Sequence, residues 1–78
     1  MQELKLYYSA SCPYCLKVLR FIEAQGIKPD LASVAEAKNH KRLVEEGGKY
    51  QVPCLFIDGE ALYESDDIIA YLKNRFVN

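Results

Sequence analysis

Cys12-Pro13-Tyr14-Cys15 sets two thiols two residues apart, after the alternating run Leu4-Lys5-Leu6-Tyr7-Tyr8 and before Leu16, Val18, Leu19 and Ile22 at helical spacing. The alternation reads as a strand over residues 3–9, and the second pattern as a helix over 13–25 that Gly26 stops. Cys12 therefore stands where a helix begins. The first turn of a helix leaves backbone N–H groups without partners and carries the positive end of the macrodipole, and both favour a thiolate over a thiol. Pro13 suits the first helical position, where its fixed φ helps and its missing N–H is no loss. A thiol so placed ionises well below its free value, which makes Cys12 the expected nucleophile. Cys15, one turn further in and deeper, is the expected resolving thiol. The same spacing suits half of a zinc site. Four ligands would then be needed, and only Cys54 and His40 from unrelated segments remain, so redox chemistry is the preferred reading.

Beyond this junction the pattern continues as strand 28–34, with Pro29 near its start, and helix 35–46, anchored by Leu43 and Val44 and ended by Gly47-Gly48. Residues 51–57 form a β-branched and aromatic run, Asp58-Gly59 is a hairpin turn signal, and 61–63 returns as a short antiparallel strand. Ser65 is the expected N-cap of a last helix, with Asp66 and Asp67 complementing the dipole and Ile68, Ile69, Tyr71 and Leu72 facing the core. The order βαβαββα requires a mixed sheet covered by helices, with a right-handed parallel first βαβ unit.

Seventy-eight residues suffice for one domain with one core, here taken as residues 1–78. A net charge of -1 gives no reason to expect a nucleic-acid or membrane-surface partner, and no stretch is long and apolar enough to span a bilayer. The start, Met-Gln-Glu-Leu-Lys, lacks the basic and apolar regions of a secretory signal. Three cysteines cannot all pair internally, which points to thiol chemistry in a reducing compartment, the cytoplasm. Cys54 is expected to pack as a small buried strand residue, and His40, among Lys38, Lys41 and Arg42, to lie on solvated surface.

The element order, with a Cys-x-x-Cys at the first strand-to-helix junction, resembles the thioredoxin fold: α/β, a four-stranded mixed sheet flanked by three helices. Pro-Tyr between the cysteines narrows the likeness to dithiol glutaredoxins. Val52-Pro53 matches that family's Val-Pro, whose proline is cis and faces the redox cysteine. Ser65-Asp66 matches the pair that holds the γ-glutamyl end of glutathione. The stretch Gln51-Val52-Pro53-Cys54-Leu55, followed by Gly59 and Leu62-Tyr63-Glu64-Ser65, is also similar to the N-terminal domain of glutathione transferases, in which a Glu-Ser pair binds the same group.

The resemblance implies glutathione as co-substrate and no metal. It implies Tyr14 beside the tripeptide, Lys49 or Gln51 toward its glycyl carboxylate, and the Val52 backbone, presented at Pro53, pairing with its cysteinyl unit. Glu64, Ser65 and Asp66 would hold the γ-glutamyl group, with Asp66 taking its α-ammonium. One departure stands out. Many glutaredoxins carry Lys or Arg three residues before the first cysteine, where this chain has Ser9, so the Cys12 thiolate must lean more on the helix terminus. The expected function is a glutathione-dependent thiol-disulfide oxidoreductase, a monomer acting on disulfide-containing or glutathionylated proteins. The rival readings are a carrier in which two chains hold a two-iron two-sulfur cluster through Cys12 and two glutathiones, a thioredoxin-like electron donor, and a transferase-like domain, for which a helical second domain would be expected.

Overall fold

The computed structural model describes residues 3–77. Seven elements follow in the order β1 (Leu4–Tyr8), α1 (Pro13–Gln25), β2 (Asp30–Ser33), α2 (Ala37–Gly47), β3 (Cys54–Ile57), β4 (Glu60–Tyr63) and α3 (Ser65–Phe76). They form one mixed sheet in the order β2-β1-β3-β4. β1 pairs in parallel with β2, Leu6 opposite Leu31, and antiparallel with β3, Leu6 opposite Leu55, while β3 and β4 form an antiparallel hairpin. This is the thioredoxin arrangement, four strands flanked by three helices.

β1 is interior, and neighbouring residues on a strand point to opposite faces, so both faces of β1 must be apolar. Leu6 lies in one core with Val18 and Ile22 of α1, Leu55 of β3, and Ile68 and Leu72 of α3. Tyr7 lies in the other with Ala32, Val34, Leu43 of α2, Cys54 and Phe56. Each fully buried Leu or Ile contributes about 1.5–3 kcal/mol relative to exposure, so the two clusters clamp the sheet between its helices. The Tyr7 ring meets Phe56 edge-on at 5.4 Å, but its buried hydroxyl has no hydrogen-bond partner among the described residues.

α1 starts and stops where its sequence signals stand. Pro13 opens it, and Gly26 ends it in the left-handed conformation, with Ile27 N–H on the Ile22 carbonyl at 2.9 Å and Gly26 N–H on that of Glu23 at 3.2 Å. Its buried stripe is Cys15, Val18 and Ile22; Leu19 is half-buried and Leu16 is exposed. Leu16 thus falls off the expected stripe, because positions 15, 18 and 22 share one face and 16 lies about 100° round from 15. The same geometry applies on α2, where Leu43 is buried and the next residue, Val44, is not.

β2 is shorter than expected and leaves Pro29 outside it. α2 starts at Ala37 rather than residue 35, because the chain first turns, with Glu36 N–H on the Ser33 carbonyl at 3.2 Å. β3 begins only at Cys54: Gln51, Val52 and Pro53 precede it as an irregular connection, and Pro53 has no N–H to give a ladder. Asp58 and Gly59 both take positive φ, 49° and 88°, as a type I′ hairpin turn demands. At α3 the cap differs from expectation. Glu64 occupies the cap position at φ 74°, ψ 120°, and Ser65 is the first helical residue, buried, with no side-chain cap bond made.

Candidate active site

The end of β1 delivers the chain into a short turn, in which Cys12 N–H bonds the Ser9 carbonyl at 3.2 Å. Cys12 then caps α1 with extended backbone, and its carbonyl accepts the first helical bond, from Leu16 at 3.0 Å. Because Pro13 has no N–H, the first free donors of the helix belong to Tyr14 and Cys15, the two amides that an N-cap side chain normally meets. Both cysteines are free thiols; Cys12 is partly exposed and Cys15 fully buried.

Their ionisation is pulled in opposite directions. For Cys12, desolvation works against the anion, but the Cys15 amide, the Cys15 thiol and the Tyr14 amide stabilise it and together hold its pKa below the ordinary 9.0. No cationic side chain is among the main influences on it, and Ser9, three residues before Cys12, carries no charge. For Cys15, burial dominates; the Ser9 amide, 3.4 Å from Sγ, favours its anion, while the hydrogen bond and charge of Cys12 oppose it, leaving the thiol at about 11. The arrangement sets a thiol that ionises readily beside one that stays protonated near neutral pH.

Beside this helix start lies a cleft of about 370 Å³ lined by Tyr14, Gln51, Val52, Glu64, Ser65 and Asp66. Three separate segments meet there: the start of α1, the irregular connection before β3, and the start of α3. Six of the eight expected binding residues line it. Pro53, joined to Val52 by a cis peptide bond, is buried behind the wall. Lys49 is not part of the lining; its ammonium lies 4.4 Å from the centre of the Tyr63 ring. A larger hollow of about 450 Å³, between Glu3, Ile27 and Phe76 at the far end of β1, contains no cysteine.

The first α3 hydrogen bond runs from Ile68 N–H to the Glu64 carbonyl at 3.0 Å, so the amides of Ser65, Asp66 and Asp67 make no bond inside the helix. The positive φ of Glu64 is an observed departure of the kind that costs about 1–3 kcal/mol in a non-glycine residue. It brings the chain from β4 sharply into α3 and lets the Glu64 carboxylate accept a bond from Gln51 Nε2 at 3.2 Å across the cleft wall. Asp66 is paired with Lys17 of α1. Sequence reading missed Lys17, since nothing local marks a partner 49 residues away.

The glutathione S-transferase N-terminal domain family matches residues 6–78. The chain belongs to that family. Among curated relatives of the domain, glutaredoxin 1 of Rickettsia prowazekii (strain Madrid E) is 29% identical over 66 residues, covering 81% of this chain and 70% of the relative. Glutaredoxin 3 of Escherichia coli (strain K12) is 25% identical over 71 residues, covering 90% and 86%. Among solved structures, glutathione transferase Omega 3C from Trametes versicolor superposes with a TM-score of 0.83 at 28% identity, over 97% of this chain and 34% of the transferase. The chain thus spans about a third of that transferase's length and most of each glutaredoxin. These relatives support a thiol redox function on a thioredoxin-like domain.

Proposed function

We propose that the protein is a glutathione-dependent thiol-disulfide oxidoreductase of the cytoplasm. The observation that carries this reading is the opposed ionisation of Cys12 and Cys15 beside a cleft that ends at the free amides of α3. With a glutathionylated protein, the Cys12 thiolate attacks the glutathione sulfur and breaks the disulfide; the protein leaves as a thiolate and takes up a proton. A second glutathione thiolate then attacks the Cys12-bound sulfur, releasing oxidised glutathione and restoring the Cys12 thiolate. With a protein disulfide, Cys12 forms the mixed disulfide and Cys15, on losing its proton, attacks Cys12 Sγ and frees the reduced protein. Two glutathiones then reduce the Cys12–Cys15 disulfide.

The tripeptide fits the cleft chemically. A γ-glutamyl carboxylate suits the amides of Ser65, Asp66 and Asp67 at a helix start, and its ammonium suits the Asp66 carboxylate, which Lys17 satisfies in the free protein. Gln51 lines the cleft and Lys49 does not, which supports Gln51 as the contact for the glycyl carboxylate. The test is turnover of a glutathionylated peptide by the reduced protein with glutathione, glutathione reductase and NADPH. Cys15→Ser should retain it and Cys12→Ser abolish it. Activity surviving in Cys12→Ser would end the assignment.

A further inference from the structure

The cleft wall made by Gln51 and Val52 belongs to the connection 48–53, which has no ladder or helix of its own. Its first end is tied to the side chain of Tyr63, and its last end runs into the strand that pairs with Tyr63. The Tyr63 hydroxyl lies 3.1 Å from the Gly47 carbonyl and 3.4 Å from that of Lys49, and its single proton can go to either. In the β3–β4 ladder Tyr63 stands opposite Cys54, the residue that follows Pro53. Lys49 covers the ring. Gly47 records how close this approach is: a Cβ there would sit 2.2 Å from the Tyr63 oxygen, nearer than any side chain allows. The residue after Tyr63 is Glu64, whose carboxylate bonds Gln51 across the cleft.

We propose that Tyr63 is a positioning residue for the glutathione cleft, holding the 48–53 connection so that the Val52 backbone and Gln51 face the bound tripeptide. This rests on the glutathione reading given above. Tyr63 does not line the cleft and touches no reacting atom; it acts through the Gly47 and Lys49 carbonyls on the wall that does. A substrate held by that wall should feel its loss. A small disulfide that needs only the Cys12 thiolate should not.

The experiment compares wild type, Tyr63→Phe, Gly47→Ala and the double variant on two substrates: a glutathionylated peptide under steady-state turnover, and a single-turnover reduction of an aromatic dinitro disulfide that has no peptide groups. Tyr63→Phe keeps the ring and its Lys49 contact and removes only the hydroxyl. Its KM for the peptide should rise about three- to tenfold, as the loss of one hydrogen bond implies, with kcat changed less than about twofold and the aromatic disulfide rate unchanged. Gly47→Ala should raise KM in the wild-type background, where its Cβ displaces the hydroxyl, and add little in the Tyr63→Phe background, where no hydroxyl remains. An unchanged KM in Tyr63→Phe, or an equal fall in both assays, overturns the proposal. If Gly47→Ala does not fold, the Tyr63→Phe split decides alone. A wild type that reduces the aromatic disulfide but shows no saturable turnover of the peptide overturns the glutathione reading itself, and the positioning role with it.

Discussion

Replacing Cys54 by alanine should make the fold less sensitive to alkali, by an amount set by where the thiol sits. Cys54 is fully buried between Tyr7 and Phe56 under α2, and desolvation is the largest influence on its ionisation. The Tyr63 hydroxyl, the Leu62 backbone and the Lys49 charge pull the other way, and the balance leaves it at about 11 against an ordinary 9.0. A group whose folded pKa is raised contributes stability that is whole below the unfolded value and is lost as pH climbs toward the folded one. Between those values the unfolded chain ionises and the native one does not. The loss for one such thiol is about 1.4 kcal/mol near pH 10 and about 2.3 kcal/mol near pH 11, and negligible near pH 8. Cys15, also at about 11, adds a similar decline that the variant retains. Tyr63, raised by burial and then by Cys54, contributes in the same direction and is partly relieved when Cys54 is removed. The assay is urea unfolding near pH 8 and near pH 10 for wild type and Cys54→Ala. The variant starts lower, because a small cavity replaces the sulfur, but its drop between the two pH values should be smaller by about 1.4 kcal/mol or more. Parallel drops would refute the placement of Cys54 as a desolvated thiol.

Brief alkylation with iodoacetamide near pH 7 should mark Cys12 first, since thiols at about 11 are ionised in about one molecule in ten thousand at that pH. Peptide mapping that finds Cys15 or Cys54 labelled as fast as Cys12 would contradict the assignment of the nucleophile. The rate at Cys12 should rise with pH through a midpoint below 9.0 and flatten above it. Tyr7→Phe should stabilise the protein by about 1–3 kcal/mol in denaturant unfolding, because it removes a buried hydroxyl without a partner and keeps the ring contact with Phe56. A loss of stability instead would show that the hydroxyl is satisfied in solution.

Features that depend on neighbours in sequence are legible in the sequence itself. β1 and α1 fall at or within a residue of their expected limits because alternation, Pro13 and Gly26 are local signals with local causes. The Asp58-Gly59 turn is of the same kind, since it is fixed by which residues accept positive φ. Where expectation and structure part, a tertiary demand overrides a local preference. Ser65 is a good cap by composition, yet the sharp passage from β4 puts Glu64 in the cap position and turns Ser65 inward. Gln51 and Val52 have strand composition, but they lie outside the ladder and form a cleft wall instead.

The site follows the same division. Cys12 and Cys15 can be read from four residues, because a helix start supplies its own donors and the second thiol is carried inward by one turn. The cleft opposite them is assembled from contacts across long stretches of chain: Gln51 to Glu64 over 13 residues, Tyr63 to Gly47 over 16, Lys17 to Asp66 over 49. No periodicity encodes such pairs, since each member also reads as an ordinary surface or strand residue. Lys49 shows the consequence: a cation just before Val52-Pro53 reads as an anion ligand, but a tyrosine 14 residues on draws its side chain over the ring and out of the cleft. Thiol ionisation is thus a local property of the α1 start, and on the proposed reading substrate choice would be a property of how β4 and α3 pack against it. Substitutions in the two regions should therefore separate in kinetics, the first acting on every disulfide and the second only on those that carry the tripeptide.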